Sequence, residues 1–467
     1  MVGLVTLLAV PSAWILVRSR VPLRRLFTVL HVLPLAVPGY VMATAALDVG
    51  GYKGFLHRAL GIEGVPLLGG YDGALLVLAL YTYPYMFLTL RAAMAGLDPA
   101  REEAARSLGA TSFGAFRHAV LPQLVAAWSA GALLVGLHAI GDFGVASLMR
   151  YDTLGVAVEQ NFDSAFGIGP GRYAYPAGLG LFLLVVSVLF VAGDLWLLRK
   201  QHAVRAATRP RRRPARRSLG AWSVPAYALL VLVPLVGVGA PLVLIIDWLD
   251  DPATGVHGPA KVLAAVWDAV RVSLPAALLG VLLVLPVVLR ATRTRALGPR
   301  LLERATFLGY ATPRIVLGLA IYVLALQLPD SVLAHPRKTV VLLILAYAIH
   351  FMAEAVGPLR ATLLQVPPRM EEAARTLGLG RFEVLRRVTL PLVGRGVAVA
   401  TAFLFLACMK DLPLTLMLRP HGFDTPALRV YDHASEVQFA SAAPYAVALV
   451  LTSAVFVALL VRGEDRA

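Results

Sequence analysis

Two stretches decide how this chain is read: Glu102 to Pro122, EEAARSLGATSFGAFRHAVLP, and Glu371 to Pro391, EEAARTLGLGRFEVLRRVTLP. They lie 269 positions apart, and eleven of the 23 positions in the windows starting at Glu102 and Glu371 are identical. The register holds beyond them, pairing Arg91 with Arg360, Pro99 with Pro368 and Asp142 with Asp411. A constant offset over that length marks an internal duplication. Each copy opens with acids in the first turn of a helix, where the dipole favours negative charge: Glu102 and Glu103 after Asp98 and Pro99, and Glu371 and Glu372 after Pro368. Gly109 and Gly378 stand where such a helix stops. A second short amphipathic stretch follows, with Phe113, Phe116 and Val120 in one copy and Phe382, Leu385 and Val388 in the other, before Leu-Pro leads out of each. The pattern predicts a polar helix, a turn and a second helix, written twice.

The surroundings of these polar stretches are apolar. Of 467 residues 58% are hydrophobic and only 15% charged, and the mean hydropathy is +0.75, beyond what a water-soluble core requires. A helix that crosses a bilayer needs about 20 mostly apolar residues. Eleven such runs occur, at 2–17, 26–48, 71–93, 119–140, 174–197, 222–246, 263–289, 306–327, 339–357, 388–408 and 441–461. Buried helices of a soluble core would not come eleven in series with charged loops between them. A strand-like alternation is absent, which disfavours a lipid-facing barrel. The expected fold is therefore an all-α polytopic membrane bundle. Pro34, Pro38, Pro84 and Pro286 fall inside the runs, where neighbouring helices are expected to protect the backbone.

Charge orients the bundle, because Lys and Arg in short loops stay on the cytoplasmic side. Basic loops hold Arg18, Arg20, Arg24 and Arg25, then positions 91–118, 199–217, 290–304 and 360–387. Mixed or acidic loops alternate with them, including the one with Asp247, Asp250 and Asp251 and the stretch 419–436. Most of the +16 net charge thus belongs to the inner surface, where it meets anionic lipid. No aromatic-studded basic domain accompanies it, so nucleic acid is not an expected partner. The run RPRRRPARR, Arg209 to Arg217, contains two prolines that oppose helix formation and reads as a tether. The single Cys408 permits no internal disulfide.

Six spans separate the two polar segments, so both face the cytoplasm, and the halves are parallel repeats related by an axis along the membrane normal. The first repeat is expected over 1–198 with about five spans and a polar segment at 98–122; a basic linker covers 199–218; the second covers 219–467 with six spans and a polar segment at 367–391. The run at 222–246 has no counterpart in the first half, and alternation places Met1 outside, so a shortened start lacking one helix is expected.

The repeated segment follows a more specific order: Glu-Ala-Ala, three residues, Gly, nine residues, an apolar residue, one residue, Leu-Pro. Glu103-Ala104-Ala105, Gly109, Ala119 and Leu121-Pro122 fit it, as do Glu372-Ala373-Ala374, Gly378, Val388 and Leu390-Pro391. This resembles the EAA motif of ATP-binding-cassette importer permeases, with Ala119 smaller than the usual aliphatic residue. The resemblance implies the type I importer transmembrane fold, in two tandem repeats with about eleven spans. It also implies a bacterial inner-membrane location, and partnership with an ATPase dimer, an external substrate-binding protein and the lipid bilayer. In that family the loop docks into the ATPase, which assigns coupling to Glu102, Glu103, Ala104, Ala105, Gly109, Glu371, Glu372, Ala373, Ala374 and Gly378. Further stretches are similar to the fused permeases of the ferric iron family: 33–40, 141–144, Met409 to Leu416, Leu418-Arg419-Pro420, Phe423-Asp424-Thr425 and Arg429-Val430-Tyr431. Asp411 stands where that family usually has Glu. Fused permeases for thiamine and phosphonates look alike, so the resemblance names the class more firmly than the cargo.

Asp142 and Asp411 occupy equivalent places near the outer ends of their spans, and an acid near hydrocarbon is costly unless it faces protein, water or a cation. They are candidates for the translocation path, because iron(III) is a hard ion that prefers oxygen ligands. The plainer account is a carboxylate that pairs with Lys410 or caps a loop. His138 and His350 read as hydrogen-bonded packing, and Glu354 as a solvated residue at a cytoplasmic helix end. No cofactor is implied and no metal site is assigned. The chain has no phosphate-binding loop, so ATP hydrolysis is expected of a partner, and the common catalytic signatures are missing. A gradient-driven secondary transporter is the competing class; it would bury a charge relay near the midplane, whereas the strongest repeated element here is on the inner surface.

Overall fold

The computed structural model describes residues 1–51, 54–95, 97, 100–109, 111–164, 173–199, 218–251, 254, 258–294, 296–327 and 340–464. Nearly all of the 199–218 linker lies outside these residues, as do Asp98 and Pro99. Among the described residues there is no strand. The first half contains α1 (Val2–Arg18), α2 (Arg24–Val32), α3 (Gly39–Val49), α4 (Phe55–Leu60), α5 (Gly70–Ala95), α6 (Ala100–Ser107), α7 (Ser112–Ala115), α8 (Leu121–Ile140), α9 (Gly144–Leu148), α10 (Leu154–Ser164) and α11 (Ala174–Arg199). The second contains α12 (Ser223–Pro234), α13 (Ala240–Leu249), α14 (Pro259–Arg293), α15 (Leu297–Ala311), α16 (Arg314–Gln327) and α17 (Val340–Gln365). It continues with α18 (Pro368–Thr376), α19 (Arg381–Val384), α20 (Leu390–Met409), α21 (Pro413–Leu418), α22 (Pro426–Ser435) and α23 (Phe439–Glu464).

Each of the eleven apolar runs has a helical counterpart, but they are not alike. Among the described residues six helices are long and apolar enough to cross a membrane singly, and three bent pairs bring the number to nine. The remaining two runs appear as shorter apolar helices, Val2–Arg18 and Phe439–Ala454. The expected straight spans at 26–48 and 306–327 are corrected by the structure. The first is Arg24–Ala36 followed by Gly39–Val49 at 94°, and the second is Leu297–Ala311 followed by Arg314–Gln327 at 98°. The cause is the same in both. Val37 and Thr312 are extended, with ψ of 115° and 124°, and each precedes a proline, Pro38 or Pro313, whose ring drives its neighbour out of the helical region. Pro84 and Pro286, by contrast, sit inside continuous helices. A third bend, of 65°, divides Phe382–Gly394 from Gly396–Met409.

The chain forms two compact units that do not follow its order. The first comprises residues 1–156, 185–256 and 430–467, and the second 157–184 and 257–429. In the first unit α1 packs along α5 and α8, around a core that includes Leu16, Tyr83, Phe87, Leu90 and Leu124. Two elements of the second half join this unit: α12 and α13 lie against α1, α2 and α3, while α23 packs on α13 and on the short turn Leu33–Ala36. A polar knot holds this arrangement. Arg58 on α4 grips Asp48 of α3 with both terminal nitrogens, at 3.0 and 2.7 Å, and reaches Asp247 of α13 at 2.7 Å. The indole N–H of Trp248 donates to Asp48 at 2.7 Å, and the same ring stacks on Phe439 of α23. The Asp48 hydrogen bonds, with those of Asp247, raise the Arg58 guanidinium above its ordinary value despite partial burial.

In the second unit α14 runs along both α17 and α20, α15 lies against α14 and α17, and α16 packs on α21. A segment of the first half belongs here: Phe162 of α10 meets Tyr322 of α16 edge to face at 5.2 Å. On α11, Gly180 passes so close to Val316 that an added Cβ would come within 3.2 Å of it.

Candidate functional site: twin polar hairpins

Both repeated stretches fold as the sequence predicts, into a short helix, a sharp turn and a second helix that runs on into a long apolar one. In the first unit α6 stops at Ser107, Gly109 turns the chain and α7 follows; in the second α18 stops at Thr376, Gly378 turns the chain and α19 follows. The glycines reverse the chain with φ of +87° and +88°, a region that Cβ-bearing residues avoid. The closing bonds match as well: Gly109 N–H donates to the Arg106 carbonyl at 3.0 Å, and Gly378 N–H to that of Arg375 at 2.9 Å. After α7 and α19 each chain widens into one π-helical turn, Phe116–Val120 and Leu385–Thr389, before α8 and α20 begin. Pro122 and Pro391 stand at the second positions of those helices, lack an N–H and would press on a carbonyl four residues back; the wider turn relieves that conflict.

The ten residues that the resemblance leads one to expect in coupling divide into two faces. Glu103, Ala104 and Gly109 are exposed in one hairpin, and Glu372, Ala373 and Gly378 in the other. Ala105 is half-buried and Ala374 buried. The first glutamate of each pair turns the other way. Glu102 is only 6% exposed and lies 3.5 Å from Arg18 in the last turn of α1. Glu371 is 7% exposed and accepts hydrogen bonds from Arg293, in the last turn of α14, at 2.9 and 3.2 Å. The Thr389 hydroxyl also donates to Glu371, at 3.4 Å, and Arg293 donates to the Val366 carbonyl at 3.0 Å. Arg18 lies over the Trp14 ring, 5.4 Å from its centroid, and that ring meets Phe116 edge to face at 4.7 Å. Sequence reasoning passed over Arg18 and Arg293 as two basic residues among many. It also missed Leu108 and Leu377, which stand just before the turning glycines and are 89% and 84% exposed. Their signal was the shared Leu-Gly dipeptide of the two copies. Each hairpin therefore presents an apolar tip beside an exposed acid and small alanines, while its other acid is held inside.

Asp142 and Asp411 are both engaged in shaping loops. Asp142 Oδ1 accepts the N–H groups of Val145 and Ala146 at 2.9 and 3.2 Å, capping α9. Asp411 Oδ2 accepts the Leu414 N–H at 2.9 Å, capping α21, and its other oxygen lies 3.4 Å from Arg314. The capping account weighed from the sequence describes both, with Arg314 as the ionic neighbour that the sequence did not suggest. His138 packs on Tyr85 at 4.7 Å, and His350 stacks on Tyr310 at 5.6 Å. Glu354 is corrected: α17 continues to Gln365, so this residue is not at a solvated helix end but half-buried within the helix, in the field of Lys410 and Arg314. Among the described residues no three His, Cys, Asp or Glu side chains converge as metal ligands would.

Residues 5–201 and 283–463 match the family described as binding-protein-dependent transport system inner membrane component. The chain is similar to the Fe(3+)-transport system permease protein FbpB 2 of Haemophilus influenzae, 29% identical over 453 residues that cover 96% of this chain and 84% of that protein. Over shorter stretches it is similar to the sulfate transport system permease protein CysT of Salmonella typhimurium, 34% identical across 28% of this chain and 48% of that protein. It is likewise similar to the molybdenum transport system permease protein ModB of Escherichia coli, 34% identical across 28% of this chain and 58% of that one.

Proposed function

Because the chain belongs to the family of binding-protein-dependent transport system inner membrane components, we propose that it moves iron(III), delivered by an external binding protein, into the cytoplasm by alternating access driven by a separate ATPase dimer. Two hairpins with the same turn, the same exposed acid and the same exposed leucine carry this reading, since an ATPase dimer offers two equal sockets. Glu103 and Glu372 would meet basic groups of the ATPase, Ala104, Ala105, Ala373 and Ala374 would allow close seating, and Leu108 and Leu377 would fill an apolar hollow at each socket. Gly109 and Gly378 set the angle between the two helices of each hairpin. Asp142 and Asp411 would border the path through the loops they cap. The two repeats, 1–198 and 219–467, would each supply one hairpin, with 199–218 as their tether.

Iron(III) as cargo is supported by the similarity to an Fe(3+)-transport permease along 96% of the chain; the sulfate and molybdenum permeases align along 28%. The deciding experiment is uptake of radioactive iron(III) by cells lacking this gene, with and without the gene restored. Iron uptake that returns with the gene and is insensitive to excess sulfate, molybdate, thiamine or phosphonate is the expected result. Restored uptake of one of those instead would overturn the cargo, and accumulation by the purified chain alone under an ion gradient would overturn the ATPase partnership.

A further inference from the structure

We propose that Arg18 and Arg293 are positioning residues for coupling: each fastens the inner face of a hairpin to the end of α1 or α14, so that movement of the hairpin is carried into that helix. The proposal rests on the reading of the hairpins as ATPase-docking elements.

The arrangement arises separately in the two units. Glu102 and Glu371 correspond at an offset of 269, and Arg18 and Arg293 at 275, the same offset that matches Pro38 with Pro313. Ion pairs on an open surface hold little, but these are largely removed from water, where losing one partner strands a buried charge. The mechanical consequence follows from connectivity. Each hairpin is joined to the bundle by two chain connections, from α5 and to α8 in one unit, from α17 and to α20 in the other. A body held at two points can rock about the line through them, and a third point off that line removes the rocking. The arginine supplies the third point. In the second unit it does so from α14, which itself lies along α17 and α20; in the first, from α1, which lies along α5 and α8. A push on the hairpin is thereby shared among three packed helices instead of being lost in rotation.

Another ion pair of the second unit, with one partner buried, provides the control. Arg360 of α17, itself exposed, pairs with the buried Glu303 of α15, and neither belongs to a hairpin. The corresponding residues of the first half are Arg91 and Thr28, so this pair is not duplicated.

The test uses the full chain in lipid nanodiscs, with hydrogen exchange read across Pro368–Thr376 and Ala100–Ser107. Arg293→Met is expected to raise exchange in the former, and Arg18→Met in the latter, by about tenfold, while Glu303→Gln changes neither by more than about twofold. Arg293→Lys, which keeps the charge, should recover most of the protection. The second measurement places the chain with its ATPase and binding protein in proteoliposomes and reads ATP hydrolysed per iron(III) ion transported. That ratio should rise about tenfold in the two methionine variants and stay at the wild-type value in Glu303→Gln. Unchanged exchange and an unchanged ratio in Arg293→Met would overturn the proposal, as would an equal effect of Glu303→Gln on both. A wild-type chain that stimulates no ATP hydrolysis would instead refute the docking reading, and the exchange measurement would still report on the fastening itself.

Discussion

Replacing Gly378 by alanine isolates one physical quantity. An added Cβ at this position meets nothing within 4 Å, so packing does not change, yet the backbone keeps φ at +88°. The cost is then conformational alone, about 1–2 kcal/mol for a Cβ-bearing residue held in the left-handed region. Most described side chains of Pro368–Gly380 are exposed, Glu371 and Ala374 being the buried ones, so the penalty should appear as local opening and not as a fall in the melting temperature of the whole chain. An increase of about 5- to 30-fold in amide exchange across Pro368–Thr376 is expected. Asparagine, which tolerates this region better, should fall between glycine and alanine, and valine should exceed alanine. Gly357 serves as the comparison: it also has nothing within 4 Å of an added Cβ but lies inside α17, where alanine is favoured by about 0.5–1 kcal/mol. Equal protection in Gly378→Ala and wild type, or a series in which asparagine is the worst, would refute the reasoning. Gly109→Ala should behave in the same way at the other hairpin, since its geometry is nearly identical.

Three further outcomes follow from the geometry. Glu103→Lys combined with Glu372→Lys should abolish stimulation of ATP hydrolysis and cargo uptake while the purified chain melts as the wild type does, because both side chains are exposed; normal uptake by that double variant would count against the coupling assignment. Asp48→Ala should destabilise the first unit by about 2–4 kcal/mol in a thermal melt, since it leaves the buried Trp248 indole N–H without its acceptor and Arg58 with Asp247 alone; the loss should shrink to about half in a Trp248→Phe background, which retains the stack on Phe439. Gly131→Val should cost about 1–3 kcal/mol in the same assay, because even a Cβ there would lie 2.9 Å from the Met86 backbone where α8 crosses α5.

Much of this was legible in the sequence because it is local. Apolar runs, the acid pair at a helix start and the glycine at its end are properties of a few consecutive residues, and duplication reported each of them twice. The bends at 37–38 and 312–313 were not read, because hydropathy sums a run without regard to its direction. The signal was nevertheless present, as Val-Pro and Thr-Pro at matching places. Glu102 and Glu103 looked equivalent because adjacent identical residues carry no information on which way each points. Only the helical phase, with Glu371 and Ala374 three apart and both buried, separates them. The Asp48–Trp248 bond joins residues 200 positions apart that share no repeat relation, so nothing in the chain announced it.

The make-up of the compact units bears on how such a protein can be assembled. Among the described residues, 157–164 and 173–184 group with the second half's helices, and 185–199, 218–251 and 430–464 with the first's. A gene cut within 199–218 would yield two polypeptides, each missing helices that its own folding unit requires. Each fragment, made alone, would leave helix faces without the partners they pack on in the whole chain. Joining them in one reading frame fixes their stoichiometry at one to one and removes the opportunity for two copies of the same half to pair.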